Sequence, residues 1–314
     1  MKKFLTTLFA STFLFAASAA SSADKEIAVI VKTANSDFWQ NVKKGSTAAA
    51  GELKGYTASF QGAASDTDLA GQVALVENAV NRKVAAIVLA PSDPDALIPA
   101  MKKAWEAKIP VILIDSAASD AGKDYYQSFL ATDNKKAGEL CAQALIAKIG
   151  TTGKIAIMSY TAGSGSEIGR VGGFRKYIET HSKLQVVGPF YSNSQMGTAL
   201  NQTTDVLAAN ADLKGMFGAN EPTAIGMGRA LVQSGKAGKV VAIGFDGNGD
   251  LQGFIKDGTL EAIAVQSAYQ MGHLGVKTAV EASQGKKVPK FLDTGVVMVT
   301  KKNIESTEAK NVLY

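Results

Sequence analysis

The chain carries the same order of sequence features twice, and this duplication limits the folds that it can adopt. Each half runs through alternating apolar and amphipathic segments to a short apolar strand that ends in an aspartate. Three pairs of residues recur at a nearly constant separation of about 130 positions: Lys25 and Lys154, Gln72 and Gln202, Asp115 and Asp246. A repeat of this length predicts two similar α/β lobes, and paired lobes create a cleft between them.

Short segments that are almost entirely apolar recur in both halves, which is typical of strands buried on both faces of a parallel sheet. They lie at residues 27–31, 85–89, 111–114, 155–158, 240–245 and 262–265. Amphipathic patterns predict helices at residues 38–53, 68–81, 94–107, 221–234 and 269–284, with Pro94 and Pro222 near helix starts. This alternation predicts right-handed crossovers in two open, doubly wound sheets.

The first 23 residues have the pattern of a cleavable secretory signal. Lys2 and Lys3 supply positive charge, an apolar segment covers residues 4–17, and small residues follow up to Ala23. The apolar segment is shorter than the roughly 20 residues that a membrane span needs, and no cysteine near the cleavage point could carry a lipid. We therefore expect a mature protein that is exported to the periplasm without a membrane anchor.

Charge and cysteine content exclude several classes of protein. The formal net charge is +5, and the basic residues form no cluster before the first strand, so nucleic acid is not an expected partner. The single cysteine, Cys141, cannot form an internal disulfide. It lies on an apolar helical pattern at residues 135–149, which predicts a buried structural thiol.

Polar and aromatic side chains follow the predicted strands. In doubly wound sheets, ligands bind beyond the carboxyl ends of the strands. These ends carry Ser36, Phe38, Trp39, Asp115, Asn220, Asp246 and Gln266. Carboxylates and amides hold adjacent hydroxyls while aromatic rings pack on C–H faces, so this mixture suits a sugar. An aspartate after a strand often only caps the next helix, but its presence in both halves favours a shared site.

Other motifs are incomplete. Residues 163–166 lack the Gly-Lys-Ser/Thr ending of a phosphate loop, and Ile168 stands where a dinucleotide loop needs its third glycine. Residues 246–257 space oxygen ligands as a calcium loop would, but the glycine at the sixth position is replaced by Leu251. His181 and His273 have no metal-ligand spacing. We therefore predict no cofactor and no metal.

Four segments, taken in this order, resemble the periplasmic ribose-type sugar-binding proteins. They are Val-Lys-Thr-Ala-Asn-Ser-Asp-Phe-Trp at 31–39, Ile-Pro-Val-Ile-Leu-Ile-Asp at 109–115, Gly-Ala-Asn-Glu-Pro-Thr-Ala-Ile-Gly at 218–226, and Ile-Gly-Phe-Asp-Gly at 243–247. The resemblance extends from about residue 25 to about residue 299. It implies a type I periplasmic binding fold, in which two lobes joined by a three-segment hinge close around one monosaccharide, as the solute-binding component of an ABC importer.

The resemblance also implies which residues contact the ligand. In the first lobe, the family's polar ligand matches Ser36, its aromatic pair matches Phe38 and Trp39, and its carboxylate matches Asp115. In the second lobe, its amide and carboxylate match Asn220 and Asp246, and its hinge amide matches Gln266. Arg170 matches an arginine that is usually structural in the family.

This chain departs from the ribose binders where they carry two arginines and a third aromatic residue. Ser116 replaces the arginine after the first-lobe aspartate, and Ile168 replaces a second one. The third aromatic is replaced near Ser194. Ribose is therefore disfavoured, and another pentose, a hexose or a sugar alcohol stays open. Glu167, Asn193 and Gln195 are predicted to supply replacement polar contacts, and Ser116 and Ile168 are also predicted to bind the ligand.

We predict one lobe from residues 24–131 with 267–293, and the other from residues 132–266 with 294–314. The expected protein is a monomer whose partners are a monosaccharide or polyol and an ABC permease. Two other functions stay open: a receptor that presents a sugar signal to a chemotaxis or sensor protein, and a periplasmic sugar-modifying enzyme, since paired carboxylates also suit acid–base chemistry. No base–nucleophile pair is visible, so we do not expect an enzyme.

Overall fold

The computed structural model describes residues 24–314, and the predicted signal at residues 1–23 lies outside this range. Two six-stranded sheets have the same strand order. The first contains, from edge to edge, β2 (Tyr56–Ala63), β1 (Lys25–Thr33), β3 (Ala86–Leu89), β4 (Val111–Ile114), β5 (Ser128–Ala131) and β11 (Phe291–Asp293), all parallel. The second contains β7 (Lys183–Tyr191), β6 (Thr152–Ser159), β8 (Leu213–Gly218), β9 (Val241–Phe245), β10 (Ala262–Gln266) and β12 (Val296–Thr300). Only β12 in the second sheet pairs antiparallel, with β10.

Helices cover both faces of each sheet. The first sheet packs against α1 (Asp37–Glu52), α2 (Leu69–Asn81), α3 (Ile98–Glu106) and α9 (Ala268–Ser283). The second lobe contains α4 (Asn134–Ile149), α5 (Gly165–His181), α6 (Met196–Ala209), α7 (Glu221–Gln233), α8 (Gly249–Asp257) and α10 (Thr307–Lys310). Within residues 24–314, no helix is long and apolar enough to cross a membrane.

The strand β4 shows why the buried strands are continuously apolar. Its four residues are all buried. Val111 and Leu113 belong to the core under α2 and α3, whereas Ile112 and Ile114 belong to the core under α1 and α9. Because successive side chains of a strand point to opposite faces, a sheet that is covered on both sides needs an apolar residue at every position.

The chain passes between the two sheets three times: from β5 to α4, from β10 to α9, and from β11 to β12. This topology confirms the predicted fold class, two doubly wound α/β lobes joined by three segments. The crossings fall beside the predicted lobe boundaries at residues 131, 266 and 293, which stay a proposal at the level of single residues.

The start of α3 differs from the prediction, whereas Cys141 lies where the sequence places it. The helix predicted from Pro94 begins only at Ile98, with Pro99 in its first turn, because residues 92–97 form a turn in which Asp93 accepts backbone hydrogen bonds. Cys141 is fully buried on α4, and burial raises the pKa of its thiol to about 12. A thiol that stays protonated is a poor nucleophile, which agrees with the predicted structural role.

Glycines let one helix pair in each lobe approach very closely. A Cβ atom on Gly45 of α1 would lie 2.0 Å from the carbonyl oxygen of Tyr269 on α9. In the other lobe, a Cβ on Gly138 of α4 would lie 2.0 Å from the carbonyl oxygen of Arg170 on α5. Neither backbone atom can move without shifting a whole helix, so both crossings require glycine.

We expect Gly45→Ala to lower the free energy of unfolding by about 1–3 kcal/mol, because the overlap outweighs the roughly 1 kcal/mol by which alanine favours a helix. Urea denaturation followed by circular dichroism measures the change. Gly51→Ala is the matched control, since it lies on the same helix and a Cβ there meets no atom within 4 Å. Equal effects of the two substitutions would refute the close-packing argument.

Candidate functional site

The carboxyl ends of the central strands in both sheets face a cavity of about 320 Å³ between the lobes. Both lobes contribute to its wall. Of the predicted site residues, the wall contains Ser36, Phe38, Trp39, Asp115, Arg170, Asn220, Asp246 and Gln266, and it also contains Gln195. Most of these residues are distant in sequence but lie together here, as expected for doubly wound sheets, which bind ligands beyond the carboxyl ends of their strands.

Asp115 and Asp246 occupy equivalent positions in the two lobes. Each follows a central strand, and each has a left-handed backbone, with φ of 61° and 75°. Their N–H groups donate to the carbonyl oxygens of Leu130 and Ala264, in the neighbouring strands β5 and β10, at 3.1 and 2.8 Å. Left-handed backbone is uncommon for residues other than glycine and concentrates at functional sites. Its occurrence at the same position in both lobes therefore supports a functional site in this cavity.

The carboxylate of Asp115 forms a buried ion pair with Lys32. Asp115 Oδ2 lies 3.0 Å from Lys32 Nζ, and both side chains are at most 5% exposed. Lys32 Nζ also donates to Ser166 Oγ of the opposite lobe at 3.2 Å. Sequence reasoning missed Lys32 as a site residue, although a lysine among the buried residues of β1 was a usable signal.

The carboxylate of Asp246 accepts two hydrogen bonds. Its Oδ2 accepts the N–H of Glu221 at 3.0 Å, and its Oδ1 accepts Gln266 Nε2 at 2.9 Å. Burial raises the pKa of Asp246 to about 6, although the positive charge of Arg170 works in the opposite direction. At neutral pH the group is ionised and faces the cavity as an acceptor.

Arg170 is fixed by its own hydrogen bonds. Its Nη1 donates to Ala219 O at 2.7 Å, and Nε and Nη2 donate to Asn134 Oδ1 at 3.0 and 2.8 Å. The guanidinium carbon lies 3.6 Å from the ring centroid of Phe245. These contacts give Arg170 the structural role that the resemblance implied, while its side chain also forms part of the cavity wall.

The aromatic pair opens α1 and lies against the cavity. Phe38 and Trp39 are nearly perpendicular, with ring centroids 4.8 Å apart. Ser36 caps this helix, since its Oγ accepts the N–H of Trp39 at 3.4 Å. Asn220 caps α7 in the same way through Thr223, with its amide oxygen accepting at 3.2 Å. Helix capping and exposure to the cavity are therefore combined in the same side chains.

Four predicted contacts are not part of the wall. Ser116 is buried and donates its hydroxyl to Asp115 Oδ2 at 2.8 Å. Glu167 accepts Ser159 Oγ at 3.0 Å, away from the cavity. Ile168 is 57% exposed on the outer side of α5, and Asn193 lies in a left-handed turn beside the wall. Of the predicted replacement contacts, Gln195 is the one that lines the cavity.

Hydrogen bonds between the lobes show a closed cleft. Asn248 Nδ2 donates to Asp37 Oδ2 at 3.0 Å, and the N–H of Phe38 donates to Glu221 Oε1 at 3.2 Å. Ser194 Oγ donates to Asp66 Oδ2 at 2.6 Å. Together with Lys32 and Ser166, each of these contacts joins residues that lie far apart in sequence and in different lobes.

Glu221 is a second site residue that sequence reasoning missed. It is 2% exposed and lines the cavity, and its Oε2 accepts the hydroxyl of Tyr314 at 2.9 Å. Burial and the charges of Asp246 and Asp37 raise the pKa of Glu221 to about 8, although the donors Phe38 and Tyr314 oppose the shift. The closed form therefore favours a protonated Glu221 at neutral pH.

This shift predicts that ligand affinity falls as pH rises. Opening exposes Glu221 to water and returns its pKa toward the ordinary value of 4.5, so closing takes up a proton. A group whose pKa is raised in the closed form stabilises that form below the shifted pKa and loses this effect above it. We expect affinity to fall by about tenfold between pH 7 and pH 9 in calorimetric titrations. Glu221→Gln should remove this pH dependence, and its persistence in the variant would contradict the assignment.

The discounted motifs have structural explanations. Asn248, within the calcium-like segment, caps α8 by accepting the N–H of Leu251 at 3.2 Å. Among the described residues, no group of three or more His, Cys, Asp or Glu side chains is placed to hold a metal ion.

Comparison with known proteins decides the family. A family model described as a periplasmic binding protein domain matches residues 27–287. The ribose import binding protein of Salmonella typhimurium is 32% identical over 92% of this chain and 95% of its own length. The chain belongs to the ribose-type periplasmic sugar-binding proteins. The D-allose-binding periplasmic protein of Escherichia coli is 29% identical over 94% of the chain and 96% of its own length.

Solved members of this family have the same two-lobed fold. An ABC transporter solute-binding protein from Agrobacterium vitis, with bound D-fucose, is 70% identical, with a TM-score of 0.91 over 92% of this chain and all of that one. A carbohydrate transporter solute-binding protein from Agrobacterium radiobacter, in complex with D-arabinose, is 36% identical, with a TM-score of 0.89 over 94% and 100%. As a member of the family, this protein is a sugar-binding component of a transport system. The cavity between its lobes is the candidate ligand site.

Proposed function

We propose that the chain is the periplasmic solute-binding protein of an ABC importer and delivers one monosaccharide to the membrane permease. The closed cavity with one aspartate from each lobe carries this proposal, because a ligand that contacts both acids stabilises the closed form over the open one. The permease then recognises the closed arrangement of the lobes. Export requires removal of the signal after Ala23, which N-terminal sequencing of the secreted protein tests.

We propose a hexose of the D-fucose type as the ligand. The 70% identical protein from Agrobacterium vitis holds D-fucose. D-fucose has hydroxyls for Asp115, Asp246 and the surrounding amides, and its methyl group needs an apolar surface. Met196 and Ile225 supply apolar wall in addition to the two aromatic rings. The absence of arginines at 116 and 168 agrees with a ligand other than ribose.

Calorimetry of the mature chain with D-fucose, D-arabinose, D-allose, D-ribose and myo-inositol tests both statements. We expect one sugar per chain and the tightest binding for D-fucose. A ligand at 100 times its dissociation constant should add about 2.7 kcal/mol to the free energy of unfolding, which thermal denaturation detects independently. If none of these sugars binds, the proposed function is wrong. If another sugar binds most tightly, only the ligand assignment is wrong.

The proposed protein binds its sugar without chemical change. Asp115 is paired with Lys32, and Asp246 is held by Gln266 and a backbone N–H, so neither acid is left as a free general base. Carbon NMR spectra of the sugar after prolonged incubation with the protein should be unchanged. Appearance of a product would support a sugar-modifying enzyme instead.

A further inference from the structure

The loop between β2 and α2 places an acid in the cavity wall that the strand-end pattern does not include. Asp66 is 6% exposed and lines the cavity. Its Oδ2 accepts a hydrogen bond from Ser194 Oγ of the opposite lobe at 2.6 Å. Its Oδ1 is buried and has no hydrogen-bond partner among residues 24–314. A buried carboxylate oxygen is costly to leave without a donor, so the cavity lacks a donor at this position.

The hydroxyl of Ser194 is directed at Asp66 by its neighbours. Ser194 and Asn193 both have left-handed backbones, with φ of 58° and 53°, in the turn between β7 and α6. Asn220 Nδ2 donates to Ser194 Oγ at 3.0 Å. Since a serine hydroxyl has one hydrogen and Asn220 already supplies a donor, that hydrogen is given to Asp66. A relay therefore runs from the cap of α7 through Ser194 to the opposite lobe.

Burial raises the pKa of Asp66, and the charge of Asp115 adds to this shift. The positive charge of Lys32 acts in the opposite direction and stabilises the ionised form, which accepts hydrogen bonds. The bond from Ser194 also favours the ionised form. Since Oδ2 already accepts the hydrogen bond from Ser194, Oδ1 is the oxygen that is left to accept a hydrogen bond from one donor.

We propose that Asp66 is a specificity-determining residue whose Oδ1 accepts one hydroxyl of the bound sugar, and that Ser194 holds it in place only when the lobes are closed. This inference rests on the proposed function, since it requires a sugar in the cavity. It assigns to Asp66 and Ser194 the discrimination that the family's missing guanidinium groups and third aromatic residue would otherwise supply. A ligand that lacks this hydroxyl leaves Oδ1 without a donor and binds weakly.

The test combines Asp66→Asn with monodeoxy analogues of D-fucose, measured by calorimetry. Asp66→Asn should weaken D-fucose binding by about 10- to 100-fold, because a charge-assisted hydrogen bond is lost. One analogue, which lacks the hydroxyl that faces Asp66, should bind the wild type weakly and should lose little further affinity in the variant. For the other analogues, Asp66→Asn should weaken binding by about the same factor as it does for D-fucose.

Two further variants separate this role from a general effect on folding. Ser194→Ala should weaken D-fucose by about 5- to 10-fold while leaving the ranking of the analogues unchanged. Asp68→Asn, in the same loop but outside the wall, keeps a side chain that can cap α2 and should change affinity less than about twofold. If the wild type binds D-fucose but Asp66→Asn weakens all analogues equally, or by less than twofold, the inference is overturned and the proposed function stands. If the wild type binds no sugar, the proposed function itself fails.

Discussion

Replacing Asp115 with alanine is expected to lower the free energy of unfolding by about 3–5 kcal/mol, because the substitution leaves the buried Lys32 ammonium without its counterion. Both side chains are almost inaccessible to water, so solvent cannot compensate for the lost charge. The remaining neighbours of Lys32 are the neutral hydroxyl of Ser166 and the charge of Asp66, which forms no salt bridge with it, so they offset only part of the lost negative charge. Urea denaturation of the purified variant measures the loss.

The double variant Lys32→Met with Asp115→Ala separates the ion pair from other effects. Removing both charges should restore most of the lost stability, because a neutral pair leaves no buried charge behind. Sugar affinity should stay low in the double variant, since the acceptor itself is gone. If the free energy of unfolding of Asp115→Ala alone lies within about 1 kcal/mol of the wild-type value, the ion pair is not a major contribution to stability.

Replacing Asp246 with alanine is expected to weaken sugar binding by about 2–5 kcal/mol, which corresponds to roughly 30- to 5,000-fold in the dissociation constant. The variant loses the acceptor that faces the cavity and leaves the Gln266 amide and the Glu221 N–H without their partner. It also leaves the positive charge of Arg170 without the nearby carboxylate that it stabilises.

Calorimetric titration with the best sugar of the panel measures this change. Asp212→Ala serves as the matched control, because Asp212 is exposed directly before β8, forms an ion pair with Lys154 of β6 and lies outside the wall. The control should bind within about twofold of the wild type, since exposed ion pairs contribute little. A comparable affinity for Asp246→Ala and wild type would show that the site has been placed wrongly.

The duplicated pattern predicted the fold because the central strands are buried on both faces and so have an unmistakable apolar run. The edge strands β2 and β7 were missed for the opposite reason. Each consists mostly of half-buried and exposed residues, and polar residues interrupt both, so neither has a continuous apolar segment. The strand β8 contains Gly215 and Gly218, which weaken its strand signal although it lies inside the sheet.

The strand-end pattern identified Asp115 and Asp246 because their positions depend only on the sheet topology. Asp66 and Glu221 were missed because their partners lie 128 and 183 residues away, on the opposite lobe, and no local pattern records such contacts. Lys32 was missed although its place in the apolar strand β1 was a local signal. Ile168 was placed in the site by its match to a family arginine, but on α5 the buried side contains Arg170 and Val171 instead.

A crystal structure of the mature protein grown with D-fucose tests the central claim most directly. We expect one sugar in the cavity, with hydroxyls within hydrogen-bond distance of Asp115 from one lobe and Asp246 from the other, and a ring face against Phe38 or Trp39. A sugar that contacts one lobe only, or that binds outside this cavity, would contradict the account.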